Sequence, residues 1–161
     1  VQTVPRCCMA CPTRRLAGAA PVTAQLRAFE LDDTEQVVEL WREAELLRPW
    51  NDPYADITRK RAVQPELFRV AVDDGCVVGS VMAGYDGHRG WLYYLATAKS
   101  HRGRGIAHAL VREVEEILTA HGCPKVQLMI RQGNESVIDF YAQQGYELSE
   151  VVTTAKRLIE D

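Results

Sequence analysis

The residues with the clearest chemical use in this chain lie in one short turn, Arg102-Gly103-Arg104-Gly105-Ile106-Ala107. Glycines at alternate positions let a backbone bend tightly and come close to a ligand, because no Cβ atom stands in the way. The apolar spacing after the turn predicts a helix that begins near Ile106, so its first N–H groups would lack partners and point back into the turn. Those N–H groups, the positive end of the helix dipole and the two arginines predict an anion site suited to phosphate.

A glycine turn alone is equally typical of an ordinary connection between a strand and a helix. This one has neither the GxGxxG spacing of a dinucleotide site nor the Gly-Lys-Ser/Thr ending of a Walker loop. A second group of residues follows in the order Asn134, Tyr141 and Gly145-Tyr146. The pattern Arg102-x-x-Gly105-x-Ala107 with this second group resembles the coenzyme A site of the GNAT superfamily of N-acetyltransferases, and the resemblance covers residues 25–161.

The elements that must position these residues follow from hydrophobic spacing and turn residues. Helices are predicted at residues 34–47, 55–63, 106–121 and 136–144. The first is expected to be capped by Asp32 or Asp33, and the last two to stop at Gly122 and Gly145. Strands are predicted at residues 25–30, 67–72, 76–85, 91–97, 125–130, 147–152 and 153–158.

Strands and helices mix without strict alternation, which predicts an α/β protein with one mixed sheet and helices on both faces. The resemblance implies the GNAT fold, a central mixed sheet with a splayed strand pair flanked by about four helices. In that fold the cofactor enters the gap between the splayed strands. The domain is expected to span residues 25–161. Residues 1–24 lie outside the resemblance and are expected to be a dispensable tail.

The resemblance implies acetyl-coenzyme A as cosubstrate and assigns residues to it. The backbone around Arg102 to Ala107 would hold the pyrophosphate. Main-chain groups of Leu95 and Thr97 would pair with the pantetheine arm as an added strand does, although a plain core strand is the alternative for both. Asn134 would contact the arm through its side-chain amide, or else cap the helix that follows.

Tyr141 matches the family tyrosine that protonates the coenzyme A thiolate, a sensible role for a phenol of pKa about 10. Its alternative is an aromatic packing residue beside Phe140 and Tyr146. The base is harder to find, because the positions where family members carry a glutamate correspond to Trp91 and Met129.

Asp86 or His88, in the turn before the fourth strand, is the nearest base in sequence. Alternatively, Asp86 only forms the turn and His88 is only a surface residue. If a water chain removes the proton, or if the amine arrives neutral, neither residue is needed as a base. By family analogy the acceptor is chosen by residues 46–61, where Trp50, Asn51 and Asp52 combine an aromatic ring with hydrogen-bonding groups, unless they form only a solvated loop.

These residues predict an acetyl-coenzyme A-dependent N-acetyltransferase that acts on a small-molecule amine or a peptide N-terminus by direct attack on the thioester. One rival is a non-catalytic acyl-coenzyme A-binding regulatory domain, favoured by the missing glutamate and disfavoured by Tyr141. A second rival, an acetyltransferase of aminoacyl-tRNA, would need a basic face.

The overall composition limits the kinds of partner that the protein is expected to bind. The 161 residues are 47% hydrophobic with a net charge of −3, which predicts one domain without nucleic-acid or membrane binding. Five cysteines without a disulfide framework predict a reducing, cytoplasmic compartment. No metal is expected, since Cys7-Cys8-x-x-Cys11 has no histidine or further cysteine pair nearby in sequence. Oligomeric state is left open, with a homodimer among the options.

Overall fold

A computed structural model describes residues 24–159 of the chain. Its sheet has five strands in the order β1-β2-β3-β4-β5, antiparallel except for the parallel pair β4 and β5. The strands are β1 (Gln25–Ala28), β2 (Phe68–Asp73), β3 (Cys76–Tyr85), β4 (Gly90–Thr97) and β5 (Val126–Gln127). The α-helices are α1 (Thr34–Glu43), α2 (Pro53–Ala62), α3 (Ile106–Ala120) and α4 (Glu135–Ala142).

Helices cover both faces of the sheet, as predicted, and each face has its own core. One core joins α1 and α2 to the sheet around the fully buried Trp41 and Phe68. The other joins α3 and α4 to the opposite face around Leu110, Leu118 and Tyr141. The mixed α/β architecture is therefore confirmed, with four α-helices in the described part of the chain.

The fourth and fifth strands separate after a short contact. Only Gly90 with Val126 and Trp91 with Gln127 are paired between β4 and β5, whereas β4 continues to Thr97. The rest of β4 therefore has a free edge on this side within residues 24–159. This is the splayed strand pair that the resemblance implies.

Helix α3 lies directly against β3, and glycine makes that approach possible. A Cβ atom at Gly79 would lie 2.8 Å from the Ile106 side chain and 3.0 Å from that of Leu110. At its other end α3 stops at Gly122, whose φ is +76°, with the Cys123 N–H donating to the Leu118 carbonyl. The predicted stop is thus present, and α3 is fixed in both position and length.

Several predicted boundaries differ from the structure. Helix α1 ends at Glu43 rather than residue 47, because Glu45 takes the left-handed conformation (φ +58°) that usually marks a glycine stop. Helix α2 begins at Pro53, since proline fits the first helical position. Asp33 does not cap α1 through its side chain; it forms two 2.7 Å hydrogen bonds with Arg27 instead.

The C-terminal part of the chain differs most. The strands predicted at residues 147–152 and 153–158 are absent from the structure, and the strand predicted at 125–130 is reduced to Val126–Gln127. Apolar side chains such as Leu148 (78% exposed) and Val152 (91% exposed) contact no core. The β-branched run Val151-Val152-Thr153-Thr154 favours a strand there, but a strand also needs a neighbour with which to pair. The predicted tail and Cys7, Cys8 and Cys11 lie outside the described residues.

Candidate active site

The N-terminus of α3 opens onto solvent through the glycine turn. Gly103 and Gly105 both have positive φ, +74° and +78°, and a Cβ atom at either position would meet nothing within 4 Å. Because the first α-helical hydrogen bond runs from the Ala109 N–H to the Gly105 carbonyl, the N–H groups of Ile106, Ala107 and His108 have no partner within the helix. The space over these donors is free for a ligand.

The charge around α3 also favours an external anion. The other three α-helices each have an acidic residue in the first turn, namely Glu35, Asp56 and Glu135, whereas α3 has none. An acidic side chain there would neutralise the positive helix end. Arg102 and Arg104 lie beside it instead. The donor set of this turn therefore fits a phosphate or pyrophosphate group.

A cleft of about 520 Å³ leads away from this helix end towards α4. Most residues that the sequence assigned to the cofactor line it. They are Leu95, Thr97, Arg102, Gly103, Gly105, Ile106, Ala107, Asn134 and Tyr141. Arg104 is exposed and is not among the lining residues.

The free edge of β4 forms one wall of the cleft. The Ala98 N–H donates to the Val78 carbonyl on the β3 side at 2.9 Å. Because main-chain groups alternate in direction along a strand, those of Thr97 and Leu95 face the cleft. The Thr97 Oγ1 atom is buried and lacks a hydrogen-bond partner among the described residues. An extended chain with amide groups, such as a pantetheine arm, fits this edge.

Asn134 and Tyr141 line the cleft from the α4 side. Asn134 occupies the N-cap position of α4, but its side chain makes no cap hydrogen bond to the helix backbone. Its Oδ1 accepts from the Ser136 hydroxyl at 3.3 Å, which leaves the Nδ2 donors for a ligand. Tyr141 is 6% exposed, and its hydroxyl makes no hydrogen bond to any described residue. Burial, and secondarily the charge of Glu115, raises the pKa of Tyr141 to about 12.

A second pocket, of about 640 Å³, lies against β4 beside the first. Aromatic side chains form much of it, including Trp91, Tyr93 and Tyr94. Tyr94 has a φ of +52° and lies, with Leu95, opposite the single residue Val81, which makes a β-bulge. Since Tyr94 lines the second pocket and Leu95 the first, the two pockets border adjacent residues at the bulge.

Asp86 and His88 occupy different surroundings. Asp86 lines the second pocket, and its carboxylate accepts hydrogen bonds from the N–H groups of Arg89 (2.6 Å) and His88 (2.7 Å) and from Trp91 Nε1 (3.3 Å). These bonds, with the one from Arg89 foremost, lower the pKa of Asp86. His88 is exposed and lines neither pocket.

The acceptor residues predicted between α1 and α2 are dispersed. Asn51 lines the second pocket. Asp52 caps α2, since its Oδ1 accepts from the Tyr54 N–H at 2.8 Å. Trp50 is 57% exposed and lines neither pocket.

The structure also adds residues that sequence reasoning missed. His101 lines the first cleft and is held between Asp73 (3.0 Å) and Ser100 (2.8 Å). In the second pocket the Tyr94 hydroxyl donates to Asp56 at 2.7 Å, and Lys60 lies one helical turn further along α2. No local pattern indicates the contact of His101 with Asp73 or that of Tyr94 with Asp56, because these partners are 28 and 38 positions apart in sequence.

The comparisons with known proteins agree with this architecture. The acetyltransferase (GNAT) family model matches residues 34–146, and the chain belongs to that family. An acetyltransferase of Pectobacterium atrosepticum is 53% identical over 137 residues, which are 85% of this chain and 97% of that protein. One of Sodalis glossinidius is 52% identical over 138 residues, with the same two coverages. The protein is therefore an N-acetyltransferase of a family whose general acyl donor is acetyl-coenzyme A.

Solved structures show the same fold. An aminoglycoside N-acetyltransferase, AAC(6′)-Iy, determined in complex with coenzyme A, superposes with a TM-score of 0.66 at 20% identity, covering 83% of this chain and 93% of that chain. The relatives' names support an acetyltransferase over a non-catalytic acyl-coenzyme A-binding domain. Within residues 24–159, no helix is both long and apolar enough to cross a membrane.

Proposed function

We propose that this enzyme transfers the acetyl group of acetyl-coenzyme A to a primary amine of a small molecule or a peptide N-terminus, by direct attack of the amine on the thioester. The observation that carries the proposal is that two pockets border adjacent residues, Tyr94 and Leu95, at the β4 bulge. One pocket begins at a helix end that suits phosphate, and the other contains a carboxylate and aromatic rings. A thioester in the first and an amine in the second would meet beside Tyr94 and Leu95.

Binding of the cosubstrate would use the residues that line the cofactor cleft. The N–H groups at the start of α3, with Arg102, would hold the pyrophosphate. The β4 edge at Leu95 and Thr97 would pair with the amide groups of the arm, and Asn134 would add its side-chain amide. Acetyl-coenzyme A supplies the activated acyl group, and these contacts hold it at the bulge.

Tyr141 is proposed as the general acid. Acetyl transfer forms a C–N bond and breaks a C–S bond, so the departing sulfur must gain a proton while the nitrogen loses one. With its pKa raised to about 12, Tyr141 is neutral at physiological pH and carries a proton to donate. Its hydroxyl lies at the cleft without another described partner, so no competing hydrogen bond would have to break.

As the residue that contacts the amine, Asp86 is favoured over His88, because Asp86 lines the second pocket and His88 does not. The lowered pKa of Asp86 keeps its carboxylate ionised. An ionised carboxylate can hold the ammonium group of the acceptor while the ammonium proton passes to water, but it is a weak base for keeping that proton. Asn51, on the same pocket, is proposed to contact the acceptor. Trp50 and Asp52 are proposed to act only indirectly, by shaping the loop before α2.

The proposal is tested by incubating the protein with acetyl-coenzyme A and a library of amines and short peptides. Thiol release and the acetylated product are measured together, the latter by mass spectrometry. The expected result is equal amounts of free coenzyme A and N-acetylated amine. Thiol release that never exceeds spontaneous hydrolysis, with every amine and peptide, would contradict the proposal.

A further inference from the structure

Lys60 is a feature of the second pocket that acetyl transfer itself does not use. Its ammonium group donates one hydrogen bond, to the Val63 carbonyl at 2.9 Å, which leaves two of its three N–H donors. Lys60 forms no ion pair with the carboxylates of residues 24–159. Burial lowers the pKa of Lys60, and the charge of Glu66 opposes this only in part.

Neither carboxylate of the same pocket pairs with Lys60. Asp56 accepts from the Tyr94 hydroxyl at 2.7 Å and pairs with Arg59 at 2.8 Å. Asp86 is held by the peptide N–H groups of its own turn. An ammonium group that is half-buried without a counterion is costly, so the pocket is electrostatically incomplete on the α2 side.

We propose that the acceptor amine also carries a carboxylate, and that Lys60 binds this carboxylate in the second pocket. The inference rests on the proposed acetyl transfer and narrows its acceptor to the class of amino acids and related amines with a carboxylate. It also disfavours acceptors that carry several positive charges, because Lys60 would repel them.

The opposite charge of such an acceptor has a place in the same pocket. Asp86 Oδ1 accepts both peptide N–H bonds, whereas Oδ2 accepts only the long 3.3 Å bond from Trp91. Oδ2 therefore has the greater capacity left for an ammonium group. A pocket with a free cation on α2 and an available carboxylate beyond β3 is complementary to a molecule that carries both charges.

The experiment compares matched acceptors on the intact enzyme. Each free α-amino acid of a panel is tested beside its own carboxamide, which keeps the amine and side chain but loses the carboxylate; a polyamine and an aminoglycoside complete the panel. Wild type is expected to prefer the amino acids in kcat/KM. Lys60→Met is expected to lower kcat/KM for the amino acids by about ten- to a hundredfold, the range for hydrogen bonds to charged groups, and to leave the carboxamides unchanged.

The matched control is Arg61→Met, because Arg61 is exposed on the same helix and lines neither pocket. It removes an equal charge and is expected to change neither class of acceptor. The inference would be overturned if wild type acetylated carboxamides as well as amino acids, or if Lys60→Met lowered kcat/KM equally for both. Acetylation of polycations alone would also overturn it while leaving the proposed function intact.

A second measurement does not depend on turnover. The chain has four lysines, so the Lys60 side-chain signal can be followed by NMR in lysine-labelled protein and assigned by its loss in Lys60→Met. Saturable movement of that signal by 3-phenylpropionate, and none by 2-phenylethylamine, is expected. A Lys60 signal that does not respond to the carboxylate would overturn the inference. If the signal responds and no amine is acetylated, the proposed function alone has failed.

Discussion

Tyr141 is a phenol whose surroundings keep it protonated. Its folded-state pKa of about 12 exceeds the ordinary value of 10.0, mainly because burial disfavours the phenolate. Since the raised pKa lies in the folded state, the stability that this group contributes is present below pH 10 and is lost as the pH rises towards 12. A rate that depends on Tyr141 as an acid is therefore not expected to fall on the alkaline side within the usual assay range.

Tyr141→Phe is expected to lower kcat by about 10²–10⁴-fold, the usual contribution of general acid catalysis, with little change in the Kd for acetyl-coenzyme A. The variant keeps the ring and its packing and loses only the oxygen. Stopped-flow or steady-state kinetics and calorimetry give the two quantities. Tyr146→Phe is the control, because Tyr146 donates to Glu115 at 2.6 Å and does not line the cleft. A Tyr141→Phe enzyme with wild-type kcat, where chemistry limits the rate, would reduce Tyr141 to a packing residue.

A pair of substitutions distinguishes the proposed role of Asp86 from that of His88. Asp86→Asn keeps an oxygen for the N–H groups of the turn and removes the charge, so a rise of about two- to tenfold in the amine KM is expected. His88→Gln is expected to have no effect, because His88 lines neither pocket. Amine KM and kcat are measured at saturating acetyl-coenzyme A. A large effect of His88→Gln and none of Asp86→Asn would reverse the assignment.

At the scale of elements, the packing of α3 on β3 fixes the direction of the helix N-terminus. Gly79→Ala places a Cβ atom 2.8 Å from the Ile106 side chain, so it is expected to destabilise the fold by about 1–3 kcal/mol through overpacking. Urea unfolding measures the change. Gly84→Ala is the control on the same strand, where the nearest atom is 3.6 Å away, and it is expected to stay within about 0.5 kcal/mol. Equal stability of the two variants would mean that α3 does not approach β3 so closely.

Elements with strong local signals were predicted well from the sequence. The hairpin strand β3 matches its predicted bounds, because Asp74-Gly75 supplies the positive φ values that a two-residue turn needs. The end of α1 was not predictable, since Glu45 gives no sign of a left-handed stop. The length of β5 and the absence of strands from residues 128–159 depend on pairing partners, about which the local sequence carries no information.

At the scale of the whole molecule, most residues of the proposed cofactor cleft could be predicted from the sequence, whereas most of those of the second pocket could not. The cleft residues could be predicted because the glycine turn and the helix after it form one continuous stretch of sequence with clear local signals. The second pocket depends on contacts between residues far apart in sequence, such as Tyr94 with Asp56, which are 38 positions apart. It also depends on a β-bulge at Tyr94, for which the sequence has no marker.

The central claim is that acetyl-coenzyme A binds by its phosphates at the open N-terminus of α3. Gly105→Asp and Gly105→Asn test it most directly, because both add a side chain of the same shape at a φ of +78° and only one adds a negative charge. Calorimetric titration with acetyl-coenzyme A is expected to show binding to Gly105→Asp at least about tenfold weaker than to Gly105→Asn, because the added carboxylate repels the phosphates and weakens their charged hydrogen bonds. Circular dichroism verifies that both variants are folded. Equal affinity of folded Gly105→Asp and wild type would contradict the account.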